Sequence, residues 1–179
     1  MGVTFTTSHT DKPRIYVACL AAYNSGILHG EWIDAAQEAW ALWDDVSAIL
    51  AASPIAGAEE WAIHDYEGFG EVSIAEYQGL DSVAAIAAFI AGHGELGAAL
   101  IDHCDGNLEE AREALDDRYM GSHASLADYV QELTEEGTTI PHALRYYIDW
   151  QAMARDAGLN GDLFTVQTAF DVVHVFAGH

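Results

Sequence analysis

The alternation of apolar and polar positions divides the chain into short elements of two kinds. Arg14 to Tyr23 (RIYVACLAAY) is apolar and rich in β-branched and aromatic residues, which predicts a strand. Asn24-Ser25-Gly26 predicts a turn, and Ile27 to Ile33 the returning strand. Asp34 with Gln37 has the spacing of a capping box. The helix expected after it places Ala36, Trp40, Trp43 and Leu50 on one face, with Glu38 and Asp45 on the far side. Ser53-Pro54 and Gly57 end that helix, and Glu60 to Tyr66 predicts a third strand.

After Gly68 and Gly70 the period changes. Asp81 is a candidate cap for a helix in which Val83, Ile86, Ala87 and Ile90 recur at helical spacing, with Gly92 as its C′ residue. Leu96, Ala99, Leu100 and His103 repeat that spacing. Asn107 and Glu110 then open a helix carrying Leu108, Ala111 and Leu115. Arg118 to Ala124 reads as a short strand. Ser125 and Asp128 open a helix with Leu126, Tyr129, Val130 and Leu133 inward, ended by Gly137. Pro141 begins another, carrying Leu144, Tyr147 and Ile148 and ending near Gly158. Leu163 to Ala177 reads as one bent strand or a hairpin. The fold class is therefore α+β. A flexible lead over residues 1–13 precedes an α+β domain at 14–67, a central helical domain at 68–117 and an α+β domain at 118–179. No repeat of fixed solenoid period and no low-complexity tract is present.

Charge changes this picture more than composition does. Of 179 residues, 29 are Asp or Glu and 6 are Lys or Arg, a net charge of −23. At 51% hydrophobic residues the chain can still bury a core, so the acidity does not imply disorder. No Lys or Arg occurs from Ile15 to Ala111, a stretch with seventeen acids. Soluble surfaces ordinarily intersperse both signs, because a single-sign field repels itself. Such a surface disfavours DNA, RNA and anionic membranes and favours a basic partner. No apolar run is read as approaching the roughly 18 residues of a bilayer span. The polar start lacks the layout of a signal peptide, and two distant cysteines, Cys19 and Cys104, suit a reducing compartment, so the cytoplasm is expected.

Candidate chemistry is sparse. Asp102, His103, Cys104 and Asp105 form the densest metal-like cluster, but helical neighbours point about 100° apart and do not converge on one ion. An EF-hand alignment on Gly106 puts Ile101 at the first ligand position, where an oxygen donor is required. His64-Asp65 lies on a strand, where neighbours face opposite ways, so one is expected packed and the other solvated. No phosphate-binding glycine loop or nucleophile elbow is found. No cofactor, metal or catalytic residue is therefore expected.

The acids themselves are patterned. Asp128, Glu132, Glu135 and Glu136 line one helix face opposite Leu126, Tyr129 and Leu133. Glu109, Glu113, Asp116 and Asp117 do the same one helix earlier. Steps of four residues are about 6 Å along a helix. Such rows resemble the charge rows of a nucleic acid strand, whereas an isolated row is ordinarily only a solvated face.

Four segments carry a family resemblance: RIYVACLAAYNSGILHGEW (Arg14 to Trp32), EEWAIHDYE (Glu59 to Glu67), SIAEY (Ser73 to Tyr77) and YYIDWQAMARDAGLNGDLF (Tyr146 to Phe164). In order and spacing they resemble the ArdA antirestriction family, DNA mimics carried by plasmids, conjugative transposons and phages. The resemblance implies an elongated protein of three small domains that dimerises through the last. It implies a non-enzymatic protein that occupies the DNA groove of type I restriction–modification enzymes. Phosphate-mimicking acids are then expected among Glu38, Asp45, Glu59, Glu60, Asp65, Glu67, Glu71, Glu76 and the two helical rows. Tyr146, Tyr147, Trp150 and Met153 are expected at the dimer face. Two copies carry twice 23 negative charges, as many as roughly 78 Å of duplex. The competing readings are a salt-adapted protein of other function and a metal binder using the His103 region.

Overall fold

The computed structural model describes residues 12–178. The expected N-terminal lead lies outside the described residues except for Lys12 and Pro13. The fold is α+β, with two three-stranded antiparallel sheets among helices. The described chain divides into two compact units, one running to Ala98 and the other starting at Ala99.

The first unit contains β1 (Arg14–Cys19), α1 (Leu20–Asn24), β2 (Gly30–Asp34), α2 (Ala39–Ala51) and β3 (Trp61–Glu67). Its sheet order is β2-β1-β3. The strand expected through Tyr23 stops at Cys19. Leu20 to Asn24 instead coil into one short helix, whose Ala22 is buried. β1 alternates as a central strand should: Ile15 and Val17 are fully buried, while Tyr16 points the other way and packs edge-on to Trp32, its β2 partner in register.

The helix α2 starts later than expected and turns a different face inward. Asp34 ends β2, and its Oδ1 accepts the Ala36 amide in a turn instead of capping a helix. Glu38 occupies the cap position without a side-chain hydrogen bond. Leu42, Val46 and Ile49 face the sheet, each burial stabilising by about 1.5–3 kcal/mol. Trp40 and Trp43, expected inward, are 67% and 44% exposed. Spacing i, i+4, i+7 serves either stripe, and the aliphatic one fits beneath the sheet.

The long helix α3 (Leu80–His103) buries Val83, Ile86, Ala87 and Ile90 as expected. Its interruption is at Gly94, with φ 60° and ψ −139°, not at Gly92. That backbone is accessible only to glycine at low cost. The chain turns back on itself there: a Cβ on Gly97 would lie 3.1 Å from the Phe89 carbonyl oxygen. Contrary to expectation, α3 is long and apolar enough to cross a membrane by length and composition, but half of that span is buried within the protein. In its second arm Ala98, Leu100 and Ile101 are buried, as is Cys104 just after it, and His103, expected inward, is exposed.

The second unit continues with α4 (Leu108–Asp117), β4 (Tyr119–His123), α5 (Leu126–Gly137), α6 (Trp150–Leu159), β5 (Leu163–Ala169) and β6 (Val172–Ala177). Its sheet order is β4-β6-β5, so the tail is a hairpin. Asn107 and Ser125 cap α4 and α5 as expected, accepting the Glu110 and Asp128 amides at 3.2 and 3.1 Å. The single helix expected from Pro141 to Gly158 is two pieces. A 3₁₀ turn covers His142–Tyr147, Ile148 is extended, and Asp149 caps α6 by accepting the Ala152 amide at 2.9 Å. Between α5 and α6, Ala127, Val130 and Ala154 form a small core under Leu126, Tyr129, Trp150 and Leu163. Leu133, expected inward, is half exposed.

Candidate partner-binding surface

Among the described residues no Asp or Glu is buried. The candidate acids are thus available to solvent, but they differ in how far other groups compensate them. On α5, Asp128, Glu132, Glu135 and Glu136 are all exposed. Burial of Ala127 and Val130 holds the helix in one rotation, so the acidic face is fixed outward. Four carboxylates over about 12 Å of axis approach the one charge per roughly 3.4 Å of a single DNA strand. Their contacts are mostly neutral: the Ser125 hydroxyl donates to Asp128 Oδ2 at 2.6 Å, and Gln131 Nε2 donates to Glu135 Oε1 at 3.1 Å. His123 Nδ1 lies 3.4 Å from Glu132.

The row on α4 is equally exposed, with Ala111 and Ala114 buried behind Glu109, Glu113, Asp116 and Asp117. It differs in holding a cation, because Arg112 pairs with Glu109 at 3.0 Å. In the first unit Glu38, Glu59, Glu60, Asp65, Glu71 and Glu76 are exposed. Asp45 is half-buried and accepts Gln37 Nε2 at 2.6 Å, and half-buried Glu67 pairs with Arg14. The charge of Glu76 holds the Tyr77 phenol above the ordinary tyrosine range. Exposed ion pairs of this kind contribute about 0–1 kcal/mol to stability, so the field of the unpaired acids is the dominant electrostatic feature.

The candidate chemical clusters do not assemble. The pairing of β1 with β3 shifts between Tyr16 and Val17, leaving His64 as an extra residue opposite that step. The bulge breaks the strict alternation expected of His64 and Asp65. The His64 ring packs edge-on to Tyr23 at 4.8 Å, its Nε2 sits 3.9 Å from Glu76, and Asp65 turns its Oδ1 to the Tyr66 amide. His103 stacks on Phe164 at 4.7 Å with planes 5° apart. Burial, and next the charge of Glu110, push the Cys104 thiol up, which keeps it protonated and weakly nucleophilic. No group of three or more His, Cys, Asp or Glu among the described residues is placed to hold a metal ion.

The four aromatic and apolar positions near the 3₁₀ turn separate into two sets. Tyr146 and Tyr147 are 85% and 84% exposed, and Met153 is partly exposed. Trp150 instead packs over Ala127, Val130 and Ala154 within its own unit. Sequence reasoning missed the outward Trp40 and Trp43. The Leu42-Val46-Ile49 stripe was the available signal, since both stripes have helical spacing and only one can face the sheet.

Residues 15–172 match the model of the antirestriction protein ArdA family. The chain belongs to the ArdA antirestriction family. Comparison with curated proteins gives no match. Membership of ArdA makes this an antirestriction protein, with restriction–modification enzymes as its class of partner. The matched span takes in both acidic helices and every acid considered above.

Proposed function

We propose that the chain is a non-enzymatic DNA mimic that occupies the DNA groove of a type I restriction–modification enzyme and keeps DNA out. The observation that carries this reading is the α5 row: four exposed carboxylates at near-phosphate density, with no Lys or Arg among them. The cation-free run from Ile15 to Ala111 supports the same reading in the first unit. A groove built to hold phosphates presents Lys and Arg, and acids fixed on a rigid helix meet them without the cost of ordering a flexible chain. Such a partner acts on DNA inside the cell, which makes the cytoplasm the proposed location.

The test is competition. The protein should displace duplex DNA from a purified type I methyltransferase core, and displacement should weaken steeply as salt is raised. Failure to displace at low salt with excess protein would sink the reading.

Two copies are proposed to pair through the exposed surface at Tyr146, Tyr147 and Met153, with Trp150 as the packed support beneath it. Light scattering of Tyr147→Glu should report half the mass of the parent. An unchanged mass would remove Tyr147 from the interface.

A further inference from the structure

The chain has five tryptophans, and the described structure uses them differently. Trp32 has the Arg14 guanidinium 5.1 Å from its ring centroid. Trp150 covers a small core, and Trp61 opens β3. Trp40 and Trp43 stand outward on α2, and Trp43 meets Trp61 edge to face at 5.9 Å and 87°. At 3.6 residues per turn, Trp40, Trp43, Asp44 and Ser47 share one arc of the helix, opposite Leu42, Val46 and Ile49. Asp44 is exposed, as are Glu59 and Glu60, which immediately precede Trp61.

An electron-rich indole face beside carboxylates attracts an organic cation twice, through the ring quadrupole and through charge. Among its described residues the first unit has no guanidinium to spare for this face. Its only described basic residues are Lys12 and Arg14, and Arg14 is held between Trp32 and Glu67. A planar guanidinium suits this face better than an ammonium, because it stacks on the ring while its edge donates to a carboxylate.

We propose that Trp40, Trp43 and Asp44 form a docking point for an arginine of the basic partner surface. The proposal rests on the DNA-mimic reading and deepens it. The acidic rows supply long-range, salt-sensitive attraction. The indole face supplies a short-range contact that selects arginine over lysine and survives salt. Charge complementarity with the flanking acids commits the occupant to a basic protein surface.

The test has two arms that fail separately. DNA displacement from the methyltransferase core by the parent protein tests the mimic reading alone. Binding of oligo-arginine and oligo-lysine peptides of equal length to parent and variants tests the docking point, whatever the first arm gives. Trp40→Ala should weaken oligo-arginine binding about twofold to fivefold, the range expected for an exposed cation–π contact. It should barely change oligo-lysine binding and leave the salt slope intact. Trp40→Phe should recover part of the loss. Asp44→Asn should lower the salt slope for both peptides. Trp40 lies mostly in solvent, so its truncation should leave the melting temperature unchanged, which a thermal scan checks. Equal oligo-arginine affinity for parent and Trp40→Ala would overturn the proposal. So would a change of oligomeric mass in Trp40→Ala, which would make this face a contact between copies of the chain.

Discussion

Gly97 shows how closely one residue can govern the packing of the first unit. A Cβ at position 97 would lie 3.0 Å from the His93 Cβ, 3.1 Å from the Phe89 carbonyl oxygen and 3.3 Å from the Ile90 Cα, so these neighbours would have to give way by a few tenths of an ångström. Gly97→Ala should cost about 1–3 kcal/mol, typical of an overpacked site, and urea unfolding would measure it as a lower midpoint. His174 governs a different property. Burial lowers its pKa, its Nδ1 lies 2.8 Å from the Tyr119 hydroxyl, and its Nε2 lies 3.1 Å from Thr168 Oγ1. The neutral ring is therefore favoured in the fold, while the unfolded chain takes up a proton near the ordinary value of about 6.5. The resulting stability is present above that value and is lost as pH falls below it toward the folded pKa. Subtracting the stability of His174→Gln isolates this contribution from that of the other histidines. The difference should shrink between neutral and mildly acidic pH, and a flat difference would exclude the effect.

Among the elements, α5 carries the functional reading most directly. Ser125 caps it, Ala127 and Val130 anchor it, and the carboxylates occupy what remains. Replacing Asp128, Glu132, Glu135 and Glu136 by their amides keeps shape and removes charge. This variant should displace DNA less well than the parent and show a shallower salt dependence. Single replacements should give small graded losses, because a distributed field has no single essential member. Equal potency of the fourfold variant would acquit this row. The elements also show which local signals carry through. Of the four sequence-read caps, those at Asn107 and Ser125 hold, whereas Asp34 ends a strand and Asp81 lies inside α3. The helix expected from Pro141 divides because Asp149 offers a better start than continuation through Ile148.

At the level of the whole molecule, a net charge of −23 opposes the compact state through self-repulsion. Moderate salt screens it, with a Debye length of about 10 Å at 0.1 M. The melting temperature should therefore rise with salt from a folded low-salt state, as circular dichroism can follow. A chain folded only at molar salt would instead support the salt-adapted reading. Stability and partner binding should respond to salt in opposite directions, since the same acids repel each other and attract the partner.

The α+β class, most of the elements, the caps at Asn107 and Ser125, and the acidic rows were legible from the chain alone. Each depends on periodicity or composition over a few turns, where neighbours in sequence are also neighbours in space. The inner face of α2, the bulge at His64, the fold-back at Gly94 and the outward Trp40 and Trp43 were not. Those features depend on which side chains fit beneath a particular sheet and on how two distant strands come into register. Local spacing permits more than one answer there, and close packing selects among them. The sign and layout of the charge thus follow from the sequence, and the indoles became part of the surface only once the core had taken the aliphatic stripe.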